Sequence, residues 1–263
     1  MDRRAYLSGL SAAALAGCLA TGPGSTLSGP SEPLRLAIES VATQRLSLRI
    51  NDLGEDPPTA EEEVVGIAEI DEAYHDTIRT AAETRGLHGV ENPPEGLAEA
   101  FDGHEFLSID DTYYWVAVSD SSGVEVSFDA ELVDDLASDH DPGVLSLSLE
   151  NRGERTVEIG SGAPAPFGVL SIHPEGEPDG ESYLLWTSEY EESDHVRTVG
   201  RSVRTVQDIG VITDLDPDDR VEHEYEIDPA GLVEGSYELT GSVGVGDGES
   251  GGSLPYTVRI QVL

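Results

Sequence analysis

Apolar residues recur at every second position in several short stretches of the chain. The clearest examples are Leu34, Leu36 and Ile38; Leu46, Leu48 and Ile50; and Val221, Tyr225 and Ile227, whose row also includes His223. Successive side chains of a strand point to opposite faces, so a period of two predicts a strand with one buried face. The pattern therefore predicts a mainly β fold.

One segment has the period of a helix instead. Residues 71–86 place apolar side chains such as Ile78 and Ala81 on a single helical face. Asp71 stands where an N-cap residue belongs, and Gly86 stands where a C-terminal glycine ends many helices. These features predict one main helix in the first half of the chain.

The pattern predicts two folded domains. Residues 34–119 combine the helix with strands, including a hairpin that turns at Asp110 and Asp111, and are predicted to form a small α+β domain. Residues 120–263 carry short strands at intervals of roughly 8–15 residues, joined by turns rich in Gly, Pro and Asp. Such spacing is typical of an antiparallel β-sandwich.

The amino-terminal segment reads "MDRRAYLSGLSAAALAGCLATGPGS". Arg3 and Arg4 precede a short apolar run that ends at Cys18, which is the only cysteine of the chain. The arginine pair resembles a twin-arginine export signal, and the residues up to Cys18 resemble the lipobox of prokaryotic lipoproteins. The resemblance implies that residues 1–17 are a signal peptide. It also implies that Cys18 carries a lipid at the start of a flexible tether over 18–33, which anchors the chain to the membrane.

Charge changes the picture more than the apolar content does. The basic residues number 14, all of them Arg, against 53 Asp and Glu, for a net charge of −39. Disorder or a cationic partner would also explain such a charge, but the clean apolar alternation argues against disorder. We interpret the charge as a halophilic surface, whose self-repulsion is screened by dense salt. We do not expect the chain to bind nucleic acid, because contacts with phosphate groups need a basic face.

Three stretches of the second half resemble the immunoglobulin-like modules of prokaryotic surface proteins: "SLENRGERTVEIGSGAPAPFGVLSIHP", "LDPDDRVEHEYEID" and "GSYELTGSVGV". With its amino-terminal segment, the whole chain is similar to lipoproteins of halophilic archaea. The resemblance implies an immunoglobulin-like sandwich over 120–263 and a location on the outer face of the cell membrane. It supplies no catalytic residue.

Several motifs resemble catalytic or metal-binding sites but lack residues or elements that those sites need. Ser250 lies in a G-x-S-x-G string, but a strand follows it where a hydrolase needs a helix. The acidic runs 214–219 and 134–142 could hold calcium only outside the EF-hand pattern, because they lack its glycine and its final glutamate. His75 and His104 lack partners at zinc-ligand spacing. We therefore predict no catalytic residue, no metal and no cofactor.

One basic island remains as a candidate binding site. Arg197, Arg201 and Arg204 lie close together in "HVRTVGRSVRTV", shortly after Trp186 and Tyr190. Arginine forks suit carboxylate or sulfate groups, and aromatic faces suit sugars. Pairing of these arginines with the abundant carboxylates of the chain itself is the alternative.

These observations predict a function class but no specific activity. The leading hypothesis is a non-enzymatic binding or structural module, lipid-anchored on the outside of a halophile, with a surface protein or a glycan as its partner. The alternatives are an inhibitor or regulator of extracellular proteases and an accessory solute-binding lipoprotein. Because sandwiches host many functions, this step rests on association with the fold.

Overall fold

A computed structural model of the chain describes residues 33–59, 63–84, 87–90, 92–138, 141–177, 180–248 and 251–263. The predictions that concern Arg3, Arg4, Cys18 and Ser250 lie outside these residues. The prediction of a mainly β fold with a small helical part is confirmed. No described helix is long and apolar enough to cross a membrane.

Eighteen strands and two short helices are described. The strands are β1 (Leu34–Thr43), β2 (Leu46–Gly54), β3 (Val64–Gly66), β4 (Leu87–Val90), β5 (Phe106–Ile109), β6 (Thr112–Asp120), β7 (Val126–Asp134), β8 (Leu136–Ala137), β9 (Gly143–Asn151), β10 (Val157–Ser161), β11 (Ser171–Pro174), β12 (Tyr183–Leu184), β13 (Val196–Thr198), β14 (Val203–Val206), β15 (Val211–Leu215), β16 (Arg220–Ile227), β17 (Gly235–Gly246) and β18 (Gly251–Val262). The α-helices are α1 (His75–Glu83) and α2 (Glu189–Glu192), and single 3₁₀ turns cover Ile67–Glu69, Glu72–Tyr74 and Glu99–Phe101.

The chain folds into two compact units. The first, which we call the α+β unit, comprises residues 43–125 and 244–255; the second, the sandwich unit, comprises the described residues up to 42, then 126–243 and 256–263. In the α+β unit a five-stranded sheet has the order β3-β5-β6-β2-β4. Ile78 of helix α1 and Leu48 of β2 belong to its buried core.

Local signals of the α+β unit appear where the sequence predicts them. Asp71 Oδ1 accepts a hydrogen bond from the Ala73 N–H at 2.9 Å, so the predicted cap is present one turn before α1. The hairpin of β5 and β6 turns at Asp110 and Asp111, whose φ angles are 47° and 67°. Aspartate tolerates this left-handed region better than most residues do.

The sandwich unit contains two antiparallel sheets that face each other. One has the order β16-β9-β7, and the other runs β12-β11-β17-β18-β1-β8, with β10 joining β17 to β15. Phe128 of β7 stacks on Tyr256 of β18 with ring centroids 4.3 Å apart. The inward positions of β16, Tyr225 and Ile227, are fully or almost fully buried, as the alternation predicts.

The course of the chain differs from the predicted division at residue 119. Strand β1 pairs with β8 and β18 in the sandwich unit, so its predicted place in the first domain beside β2 is wrong. Residues 120–125 and 244–255 belong to the α+β unit instead of the second domain. Alternation shows which face of a strand is buried but not which neighbour it pairs with, and this accounts for the difference.

Candidate functional site

The predicted basic island folds into a two-stranded hairpin made of β13 and β14. Val196 pairs with Val206 and Arg197 with Thr205, and a bulge follows at Thr198. At the tip the Val199 N–H donates to the Ser202 carbonyl at 2.9 Å, and Gly200 adopts a φ of 55°. Among the described residues these two strands pair only with each other. We call residues 195–207 the arginine hairpin.

The aromatic half of the predicted patch lies in the core. Tyr190 of α2 is fully buried, and its hydroxyl oxygen accepts a hydrogen bond from the Leu170 N–H at 3.1 Å. Trp186 is only 7 % exposed, packs edge-on against Tyr190, and exchanges backbone hydrogen bonds with Glu226. These rings stabilise the sandwich unit and cannot present a free face to a sugar.

Arg201 is tied to the same core. Its guanidinium forms an ion pair with the Glu226 carboxylate, and its Cζ atom lies 5.5 Å from the centroid of the Trp186 ring. The cation–π contact places the side chain as a cover over Trp186. Arg201 is therefore already engaged within its own unit and is a weak candidate for ligand binding.

Arg197 and Arg204 have no such engagement. Both are exposed, and within the described part of the chain neither guanidinium has an ion pair or a hydrogen bond. Every other described arginine has at least one partner. Carboxylates pair with Arg35, Arg79, Arg152, Arg201, Arg220 and Arg259, Arg45 donates to the Val124 carbonyl, and Arg49 and Arg155 each have an interaction.

A concavity of about 320 Å³ lies at the base of the arginine hairpin. Its lining includes Glu189, Glu192 and Asp194, which are acidic, and the small apolar surface of Ala163 and Pro164. The side chains of Glu192 and Asp194 have no partner among the described residues. We call this site the acidic concavity; the sequence analysis did not single it out, because its acidic run resembles many others in the chain.

The hairpin and the acidic concavity share a boundary. His195 lines the concavity and directly precedes β13. Its ring nitrogen Nδ1 lies 3.2 Å from the Gln207 side-chain oxygen, and the Gln207 N–H donates to the His195 carbonyl at 2.9 Å. These two contacts close the base of the hairpin. On the concave side, Glu189 Oε2 lies 3.9 Å from His223 Nδ1.

Three tyrosines are buried below this region. Burial raises the pKa of Tyr190, Tyr225 and Tyr256 above the ordinary value, because a phenolate loses its hydration in the core. A hydrogen bond from the Leu170 N–H opposes part of this rise in the pKa of Tyr190. The three hydroxyls therefore stay protonated at neutral pH and do not serve as bases.

A second concavity of about 500 Å³ lies in the α+β unit, lined by Tyr74, Glu69, Asp71, Glu99 and His104 among others. Its polar groups are largely committed to the backbone. The Tyr74 hydroxyl donates to the Glu95 carbonyl at 2.6 Å, Glu69 accepts from the Gly66 N–H, and Asp71 accepts from the Ala73 N–H. The exception is His104, whose Nδ1 atom is buried without a hydrogen-bond partner among the described residues. The second concavity thus presents fewer free carboxylates than the acidic concavity does.

The acidic runs considered for calcium lie at strand ends: the run 214–219 connects the end of β15 to the start of β16, and the described part of the run 134–142 covers the end of β7 and β8. In the run 214–219, Asp216 Oδ1 accepts a hydrogen bond from the Thr156 hydroxyl at 2.7 Å. In the run 134–142, Asp134 Oδ1 accepts one from the Leu136 N–H at 3.0 Å. No group of three or more His, Cys, Asp or Glu side chains that could hold a metal ion occurs in the described ranges.

A family model described as a domain of unknown function, DUF8130, matches residues 108–245, which is more than half of the 263 residues. The chain belongs to this family. The DUF8130 match includes both the arginine hairpin and the acidic concavity. It begins within β5 and ends within β17, so it covers parts of both units. No curated protein and no solved structure matches the chain.

Proposed function

We propose that this chain is a non-enzymatic binding module on the outer face of a halophile's cell membrane, anchored by a lipid on Cys18. We further propose that it binds a carboxylate-bearing partner through the arginine hairpin. One observation carries the binding proposal. Arg197 and Arg204 are the described arginines without a partner, in a chain that holds 53 carboxylate side chains.

The scarcity of free arginine makes this observation informative. An exposed guanidinium among so many carboxylates finds a partner easily, and the other described arginines do so. Arginine presents its N–H donors in a fixed fork that matches a carboxylate with two parallel hydrogen bonds. Two such forks stand on one short hairpin, and each can pair with an incoming carboxylate.

Salt decides when such a contact can form. A net charge of −39 repels any anion at long range. At about 1 M salt the Debye length falls to roughly 3 Å, which is close to the length of a hydrogen bond. Long-range repulsion is then removed, whereas groups in direct contact still interact. The proposal thus fits the halophilic interpretation of the composition.

Binding can be tested with immobilised polyglutamate at about 1 M NaCl. We expect the full chain to be retained, and the double variant Arg197→Gln/Arg204→Gln to bind about tenfold more weakly, since two exposed charge pairs contribute about 1–2 kcal/mol together. The matched control is Arg152→Gln/Arg220→Gln, which removes two exposed arginines that already pair with Glu150 and Glu222. Equal loss in both double variants would contradict a specific role for the hairpin.

Anchoring can be tested separately by fractionating cells that express the full chain. We expect Cys18→Ser to leave the membrane fraction, because it removes the only thiol that could carry a lipid. Ser25→Ala, a change in the same segment, is the control and should remain with the membrane. Retention of Cys18→Ser in the membrane fraction would overturn the lipid anchor without affecting the binding proposal.

A further inference from the structure

The exposed chemistry of the arginine hairpin narrows the class of partner. Trp186 and Tyr190 are buried, so the hairpin region offers no aromatic face of theirs for a sugar ring. What it does expose is aliphatic and cationic: Val199 at the tip is 63 % exposed, beside Arg197 and Arg204. A surface that combines an apolar side chain with guanidinium groups fits a protein surface that combines apolar groups with carboxylates.

The acidic concavity of the same chain has that complementary composition. Glu189, Glu192 and Asp194 supply carboxylates, and Ala163 and Pro164 supply apolar wall. It forms an open recess of about 320 Å³, which is accessible to side chains of a partner. The two surfaces are therefore complementary in charge and in apolar character.

The arginine hairpin does not contact the acidic concavity of its own chain. Arg197 and Arg204 have no contact with the acids of their own concavity, although the two surfaces meet at His195. The four residues from His195 to Val199 span about 13 Å at 3.3 Å per residue, so the tip points away from the base. In the structure the two surfaces do not contact each other within one chain, and a second copy can supply the contact.

We propose that the arginine hairpin of one chain inserts into the acidic concavity of a second copy. This inference rests on the proposed function, since it names the carboxylate-bearing partner. Because the donor surface and the acceptor surface adjoin at His195, a two-fold axis can bring both reciprocal contacts together. The result is a closed dimer rather than an open filament.

The proposal sets conditions on the dimer. Two copies that each carry a charge of −39 repel each other in dilute buffer, and the repulsion is screened at about 1 M salt. The proposed contacts involve only a few residues on each side, so we expect the dimer to be weak and dependent on concentration. Sedimentation equilibrium over a range of concentrations suits such an assembly.

A charge exchange tests the contact directly. Variant A carries Arg197→Glu and Arg204→Glu, and variant B carries Glu189→Arg and Glu192→Arg. Each variant alone sets like charges against each other and should dimerise at least tenfold more weakly than the wild-type full chain. An equimolar mixture of A and B sets opposite charges together at both contacts and should recover dimers. Arg152→Glu/Arg220→Glu lowers the net charge as much as variant A does and should dimerise like the wild type.

The outcomes separate this inference from the proposed function. The wild-type chain could stay monomeric at about 1 M NaCl and still bind polyglutamate through Arg197 and Arg204. This result would overturn the proposal of a second copy as the partner, but it would support the proposed binding module. Loss of both activities overturns both. Binding to dextran sulfate in preference to polyglutamate would overturn the proposal that the partner is a second copy and would indicate an anionic glycan instead.

If circular dichroism shows that variant A or variant B does not fold, two substitutions that remove a charge without reversing it can replace them. Arg197→Gln and Glu192→Gln remove one charge from each side and should each weaken the dimer several-fold. Combined in one chain, they should weaken it less than the product of the single effects, because they remove the same contact. Simple multiplication of the two effects would show that these side chains do not meet and would overturn the proposal.

Discussion

Tyr190 and Tyr256 are both buried in the sandwich unit, but their hydroxyl groups have different surroundings. The Tyr190 oxygen accepts a hydrogen bond from the Leu170 N–H. The Tyr256 hydroxyl has no hydrogen-bond partner among the described residues, although its ring stacks on Phe128 and meets Phe167 edge-on. These two buried tyrosines therefore contribute to stability in different ways. The Tyr190 hydroxyl contributes through a hydrogen bond, whereas Tyr256 contributes through the contacts of its ring.

This difference predicts that removing the hydroxyl group has a different effect on the free energy of unfolding at Tyr190 than at Tyr256. Tyr190→Phe leaves a buried N–H without its acceptor and should lower the free energy of unfolding by about 1–2 kcal/mol. Tyr256→Phe keeps the aromatic contacts and removes an unsatisfied buried group, so the free energy of unfolding should stay unchanged or rise. Denaturant unfolding of both variants at pH 7 checks this. A larger loss in Tyr256→Phe than in Tyr190→Phe would mean that the Tyr256 hydroxyl has a partner such as a buried water.

Individual site residues were only partly predictable from the sequence. The arginine island is visible because no acid interrupts residues 196–206, and the hairpin does hold Arg197 and Arg204 in the open. Tyr190 looks exposed in the sequence, since acidic residues surround it. Helix α2 is only one turn long, and a single turn carries too little periodicity to show that one face is buried.

Single elements could be read from the sequence with more success. The inward alternation of β16 and the turn at Asp110 and Asp111 both depend on residues close in the chain, and both are confirmed. Helix α1 begins at His75, four residues after the predicted cap, because a 3₁₀ turn over Glu72–Tyr74 comes first. The boundary moved, but the cap and the helix type did not.

The partners of the elements were not predictable. Strands β1 and β2 have the same alternation and are neighbours in the sequence, yet β1 belongs to the sandwich unit and β2 to the α+β unit. One close contact of β1 is with a distant residue: at Gly143 an added Cβ atom would lie 2.4 Å from Leu36 Cδ1, so a larger residue there would force the leucine side chain to shift. Complementarity of this kind joins residues about a hundred positions apart and has no local signature.

At the scale of the whole molecule, we expect the net charge to have a large effect on stability. The carboxylates greatly outnumber the arginines, so the folded state carries strong self-repulsion in dilute buffer. Salt bridges of exposed arginines offset little of it, because each contributes about 0–1 kcal/mol. Screening by salt acts on all the charges together and is therefore the larger effect.

We predict that the melting temperature of the full chain rises steeply between about 0.1 M and 2 M NaCl. The matched variant Glu191→Gln/Glu224→Gln/Glu234→Gln removes three exposed carboxylates. It should melt at a higher temperature than the wild type at low salt and at nearly the same temperature at high salt. Thermal unfolding followed by circular dichroism measures both. A wild-type melting temperature that does not depend on salt would rule out the halophilic interpretation.

The position of β1 also determines how the sandwich unit responds to mechanical load. In the sheet order β1 lies between β18 and β8, and the Arg35 N–H and carbonyl exchange hydrogen bonds with Leu263 at 3.1 and 2.8 Å. A pull on the segment that precedes Leu34 therefore enters the fold through a strand with neighbours on both sides. The force is shared among two ladders of hydrogen bonds, and a chain held by its amino-terminal side in a moving fluid resists unravelling from that end.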